Sequence, residues 1–186
     1  MRADELFGKF RYMAKAQSIQ LVPVKADGFI LDIGGGGDGI IGKPNGKQVV
    51  AIDTNEEELE ETKNDALKLV MDAAEMNFLP KTFEVCTSFF CLMYIPKNQH
   101  LQVFNQVNRV PKDGGRFLLW DLKIPKRQRN YRTYAIRLRI ALPNEKVETG
   151  YGTIWTRHRI WNSSKGSPQK QSSRKSKSGA EETYST

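Results

Sequence analysis

Residues 28–39 read GFILDIGGGGDG, a short apolar run that breaks into glycines. This pairing narrows the choice of fold more than any other feature of the chain. An apolar strand followed by a glycine-rich turn is how a parallel sheet opens a ligand site at its carboxyl edge. The glycines permit backbone angles that other residues avoid, and they let a ligand touch the main chain. One carboxylate, Asp32, lies inside the apolar run from Phe29 to Ile33. Nineteen residues after Gly34, a second strand pattern, Gln48 to Ile52, ends in Asp53. An acid at that place can hold the two hydroxyls of a ribose, so the two elements together point to a nucleoside-containing cofactor.

The kind of cofactor turns on Asp32. Gly34, Gly36 and Gly39 satisfy G-x-G-x-x-G, the dinucleotide fingerprint, with an acid about 20 residues further on. Glycine runs also produce that match by chance. A carboxylate two residues before the first glycine repels a pyrophosphate. It attracts a cofactor that has no phosphate and carries a cationic amino group, such as S-adenosylmethionine. Two simpler readings stand beside this one: a buried acid that caps nearby N–H groups, and glycines that only make a tight turn.

The rest of the chain alternates in the manner of a doubly wound sheet. Strands are predicted at about 28–33, 48–53, 67–71, 83–89 and 116–121. Thr54-x-x-Glu57 has the capping-box pattern and starts a predicted helix through about Lys63. A second helix is predicted over 97–110, where Val103, Phe104, Val107 and Val110 share a face. Between it and the last strand, Pro111-Lys112-Asp113-Gly114-Gly115 is a turn by composition. Strands that alternate with helices predict an α/β, mostly parallel sheet. Ahead of this core, residues 4–20 read as a helix, with Leu6, Phe10, Met13 and Ile19 roughly along one side. The organisation expected is a helical segment at 1–22, an α/β core at 23–122, an extension at 123–155 and a low-complexity tail at 156–186.

Composition trims the alternatives. With 186 residues the chain holds one modest domain. Its longest apolar stretch, Phe89 to Ile95, is far short of the ~18 residues that span a membrane. Cys86 and Cys91 read as thiols of a reducing, cytoplasmic setting. Two histidines, His100 and His158, and no clustered cysteines leave no expected transition-metal site. The net charge of +8 sits mostly in residues 156–186, where seven Lys/Arg face two Glu and the rest of the chain keeps +3. Such a tail is expected to be solvated and disordered. A basic tail can touch nucleic acid, but Ser88-Phe89-Phe90-Cys91 stands after the fourth strand where a nucleic-acid methyltransferase would carry an Asp/Asn-Pro-Pro-Tyr/Phe-type element, which makes nucleic acid a poor candidate partner.

Four pieces in order give a resemblance. LDIGGGG, VVAIDTN, MDAAEMNFLPKTFEVCTSFF and NRVPKDGGRFLLWD resemble the successive motifs of the class I S-adenosylmethionine-dependent methyltransferases, most closely the group that acts on small molecules and quinone-type substrates. The resemblance covers about residues 28–122. It implies a Rossmann-like core and S-adenosylmethionine as cofactor. By it, Gly34, Gly35 and Gly36 would let the backbone approach the cofactor, and Asp32 would orient its amino group. Asp53, with Thr54 beside it, would meet the ribose hydroxyls. Asp72 would accept from the adenine amine, with the Ala73 N–H facing a ring nitrogen. Ser88 and Phe89 would line the methionyl and sulfonium region, where an aromatic face favours a cation. Apart from the resemblance, Tyr94 and His100 follow the fourth strand and could face the acceptor, beside the simpler readings of Tyr94 as core packing and His100 as an exposed helix-start histidine. No catalytic base is assigned.

The family normally closes with a long helix and two more apolar strands. Here residues 133–142 and 146–155 form a hairpin-like pair around Pro143-Asn144, with Arg137 and Arg139 alternating among Tyr134, Ile136, Leu138 and Ile140. That is a half-exposed ribbon, which suits a substrate-side extension or an edge hairpin able to pair with a second copy. The closing elements are therefore expected to be missing, through truncation or an altered frame, unless the hairpin replaces them. Three functions follow: methyl transfer to a small-molecule acceptor, cofactor binding without activity, or an NAD(P)-dependent oxidoreductase.

Overall fold

The computed structural model describes residues 11–121, 131, 133–154, 157–162 and 167–168. Two strands come first, β1 (Arg11–Met13) and β2 (Gln17–Gln20). Then follow β3 (Ile30–Ile33), α1 (Gly42–Asn45), β4 (Val49–Asp53), α2 (Glu56–Glu61) and β5 (Leu67–Val70). β6 (Phe83–Phe89), α3 (His100–Arg109) and β7 (Pro111–Trp120) complete an α/β unit. β8 (Thr133–Ala141), β9 (Lys146–Ile154), β10 (Arg157–Asn162) and β11 (Ser167–Pro168) lie beyond it.

β3 to β7 form one parallel sheet in the order β5-β4-β3-β6-β7. The chain moves outward from β3 to β5 and then crosses back to β6 on the other side of β3. That reversal creates a crevice at the carboxyl ends of β3 and β6, where open α/β sheets bind ligands. Helices cover both faces. On one, Leu31, Ile33, Val50, Ile52 and Cys86 pack with Val103 and Val107 of α3. On the other, Ile30, Val49, Ala51 and Val85 pack with Leu59 of α2. The predicted strands at 48–53 and 83–89 therefore stand within a residue of their observed ends.

The hairpin does not join this sheet. β8 and β9 pair antiparallel from Thr133↔Ile154 to Ala141↔Lys146 and belong to a separate sheet with β1, β2, β10 and β11. Tyr134, Ile136, Leu138 and Ile140 are buried against the face of the parallel sheet that carries Ile30, Val49, Ala51 and Val85, while Arg137 and Arg139 are exposed. The alternation in sequence thus has the expected cause, one face packed and one solvated. Among the described residues, β7 remains the edge of the parallel sheet, so the hairpin does not replace further strands there.

One expectation is corrected. The helix predicted over 4–20 is not formed at 11–20, where β1 and β2 run parallel along one edge of β8 (Tyr12↔Tyr134, Ile19↔Ile140); residues 1–10 lie outside the described residues. Ladder bonds to a strand more than a hundred residues away outweigh a weak amphipathic pattern. Within 156–186 the described residues form β10, paired with β9, and β11, paired with β10; residues 156, 163–166 and 169–186 lie outside the described residues. Smaller shifts follow local chemistry. Asn55, not Thr54, caps α2, accepting from the N–H of Glu57 and Glu58. The turn at 111–115 is absorbed as an irregularity in β7, between the pairs Phe83↔Pro111 and Val85↔Arg116, with Gly114 at φ +76°. No helix among the described residues is long and apolar enough to cross a membrane.

Candidate functional site

The glycine turn folds back on β4. The N–H groups of Gly34 and Gly35 both donate to the Ile52 carbonyl, at 2.8 and 3.1 Å. The Gly36 N–H donates to Asp53 Oδ2 at 3.3 Å, and the Gly37 N–H donates to the Glu58 carbonyl at 2.9 Å. These glycines are needed by the chain itself. A Cβ on Gly35 would lie 2.7 Å from that of Ala51, and one on Gly36 would lie 2.9 Å from Asp53 Oδ2. On Gly34 it would overlap Cys91. The amides of Gly34, Gly35, Gly36 and Gly37 are committed, so what these four glycines leave for a ligand is the shape of the crevice and its charge.

That charge is negative. Asp32 is 3% exposed and accepts from Thr87 Oγ1 at 2.8 Å. Asp53 accepts from the Asn55 N–H at 2.9 Å as well as from Gly36. The pleat sets both carboxylates on the same face of neighbouring strands, since Asp32 pairs with Ala51, two residues before Asp53. Among the described residues neither makes an ion pair with a cation. Burial pushes the Asp32 carboxyl up from 3.8 to about 7; the Thr87 hydroxyl opposes this and the Asp53 charge adds to it. Asp53 is also raised, chiefly by burial.

The other predicted residues divide. Phe89 ends β6 on the Asp32 side and touches Phe90 (4.8 Å between centroids) and Trp120 (5.8 Å). Ser88 is fully buried opposite Ile33, on the pleat face away from Asp32. Asp72 and Ala73 lie just past β5, at the same carboxyl edge; Asp72 is exposed, and one of its oxygens accepts from the Ala74 N–H at 2.7 Å. Thr54 is exposed at the end of β4.

Several contributors carry no sequence signal of their own. Thr87 orients Asp32. Cys91 packs on Gly34, and burial next to Asp53 and Asp32 pushes its thiol well above the usual range. Tyr151 of β9 stacks on Phe90 (4.9 Å, 18°) and approaches Tyr94 (6.5 Å). Burial drives both phenols upward, and Asp38 reinforces this in each. The second sheet thereby brings an aromatic wall to the acidic crevice, from a segment without a motif.

His100 is placed elsewhere in function. It is half-buried, and its Nε2 lies 2.9 Å from the Ile95 carbonyl and 3.2 Å from that of Leu92, which it meets as a donor. It ties down the turn after β6 rather than facing an acceptor. His100→Ala is expected to lower stability by about 1–2 kcal/mol, read from the urea midpoint, and to leave cofactor affinity within twofold. A larger loss of affinity than of stability would return His100 to the site.

Residues 31–119 match the family model described as a methyltransferase domain. No curated protein matches the chain. Among solved structures it is similar to the YcgJ protein of Bacillus subtilis, with 23% identity over 55% of this chain and 47% of that one, TM-score 0.47. It is also similar to a putative methyltransferase of Bacillus halodurans, with 23% identity over 56% and 48%, TM-score 0.45. A third is phosphoethanolamine N-methyltransferase 2 of Haemonchus contortus, in complex with S-adenosyl-L-methionine, with 22% identity over 63% and 25%, TM-score 0.39. The chain spans about half the length of the first two.

Proposed function

We propose that the chain binds S-adenosylmethionine at the carboxyl edge of the parallel sheet and transfers its methyl group to a small-molecule acceptor, in a cytoplasmic setting. The observation that carries this reading is the pair Asp32, buried, and Asp53, half-buried, two carboxylates beside a glycine turn with no cation against them among the described residues. Uncompensated buried charge is costly, and a cationic, phosphate-free nucleoside would relieve it where a pyrophosphate would worsen it.

S-adenosylmethionine would supply a sulfonium that is already a good leaving group. The protein's share is positioning and exclusion of water. Asp53 spends one lone pair per oxygen on the Gly36 and Asn55 amides, which fixes its plane and leaves the outer lone pairs for ribose hydroxyls. Asp32, held by Thr87, offers its second oxygen toward a cationic amino group. The free oxygen of Asp72 and the main chain at Ala73 are left for an adenine edge. Tyr94 and Tyr151, kept protonated by burial, stack or donate and are not resident bases. An acceptor that arrives already nucleophilic needs no base from either of them.

Calorimetry with S-adenosylmethionine, S-adenosylhomocysteine and NADH side by side tests this. The first two are expected to bind and NADH is not; NADH binding alone would overturn the assignment. The hairpin's separate sheet favours one second reading, cofactor binding without turnover. Binding with no S-adenosylhomocysteine formed across a panel of amine, phenol and thiol acceptors would select it.

A further inference from the structure

β7 is an edge strand whose residues are those of an interior one. Phe117-Leu118-Leu119-Trp120 is an unbroken apolar run, the pattern of a strand covered on both faces and paired on both sides. Its two faces are indeed used: Phe117 packs with the α3 side and Leu118 and Trp120 with the hairpin side. Yet among the described residues its outer row of N–H and C=O groups pairs with no strand, and Leu119 is 44% exposed. The opposite edge differs. β5 is four residues long and carries Lys68 in its middle, the usual protection of an edge. From Arg116 to Trp120, β7 has no lysine, no proline and no irregularity of register.

A second exposed feature adjoins it. On α3, Leu101 is 70% exposed and Phe104, one helical turn on, lies 6.4 Å from the Phe117 ring. Leu101, Phe104, Phe117 and Leu119 therefore make one apolar strip that runs from the helix to the open edge, on one side of the sheet.

We propose that β7 pairs antiparallel with β7 of a second copy about a two-fold axis at Leu118, joining two parallel sheets into one of ten strands. The residues are self-complementary in that register. Leu118 meets Leu118, Phe117 meets Leu119, and Gly115 meets Asp121, so no like charges oppose. Arg116, exposed and held by a bond to the Lys25 carbonyl, falls opposite Trp120, an arrangement that favours a cation over a ring. The same axis brings the two α3 helices together and covers Leu101 and Phe104 of both. This surface is distinct from the hairpin, whose outer residues Arg137 and Arg139 are charged.

Sedimentation equilibrium on the full chain reads the result. The wild type is expected at twice the chain mass at about 50 μM, and Leu119→Lys at the monomer mass with an unchanged circular dichroism spectrum. An equimolar mixture of Leu119→Lys and Leu119→Glu is expected to recover the dimer, because residue 119 of each copy lies diagonal to the other across the pair. Leu118→Cys should form an interchain disulfide on mild oxidation, whereas Arg116→Cys should not. A monomeric wild type, a Leu119→Lys variant that stays dimeric, a charge-swapped mixture that stays monomeric, or a Leu118→Cys chain that fails to crosslink would each overturn the proposal. Should Leu119→Lys misfold, the cysteine pair still decides.

Discussion

Asp32→Asn is expected to make the empty protein more stable above neutral pH and, at the same time, to weaken S-adenosylmethionine binding by about 10–100-fold. The first effect follows from linkage. The carboxyl ionises near 3.8 in the unfolded chain and near 7 in the folded one. Below 3.8 it is protonated in both states and contributes nothing. Between 3.8 and 7 the folded state holds more protons, so stability falls as pH rises. Above 7 the penalty is complete, on the order of 4 kcal/mol. Asparagine keeps the acceptor for Thr87 and removes the charge, so the urea midpoints of the two proteins should coincide near pH 4 and separate by pH 8, with the variant higher. The second effect has the opposite sign because a cationic ligand pairs only with the ionised form. The affinity gap should therefore widen as pH rises through 7. A variant that is more stable yet binds equally well at pH 8 would make Asp32 a structural acid and remove the ground for preferring a cation here.

This behaviour was half legible in the sequence. The position of Asp32 in an apolar run announces burial, and the glycines after it announce the sheet's carboxyl edge. Thr87 does not announce itself, because only strand order sets β6 beside β3, and periodicity carries no strand order. The same limit explains the N-terminal segment. Met13 and Ile19 suit a helix face about as well as strand positions, and what decides between them is the edge of β8, which belongs to a distant part of the chain. Local chemistry was more readable where it is self-contained. β6 has the bounds read from the sequence, and α2 is capped one residue past the cap read there, at Asn55 instead of Thr54. Tyr151 lies at the other extreme. Its place in the crevice comes from the packing of one sheet on another, for which a single sequence has no signature.

The glycine turn shows how a correct motif can be read for an incomplete reason. Freedom of approach for a ligand explains Gly34 only in part, since its own chain already fills the space. Gly34 sits at φ +75°, and a Cβ there would overlap Cys91. Gly34→Ala should therefore suffer twice: about 1–3 kcal/mol for a left-handed backbone, and about 1–3 kcal/mol more for overpacking against the cysteine. The turn hangs on two amides shared by the Ile52 carbonyl, so relief of strain there would shift Gly36 away from Asp53 and take cofactor binding with it. A double-mutant cycle separates the two costs. Cys91→Gly removes the atoms that the new methyl meets but cannot change φ. Adding it to Gly34→Ala should recover the packing share and leave the backbone share, a coupling of about 1 kcal/mol or more in urea unfolding. Additive effects would mean that Cys91 does not rest on Gly34. A fully tolerated alanine would mean that the turn does not take the left-handed form, and the crevice built on it would have another shape.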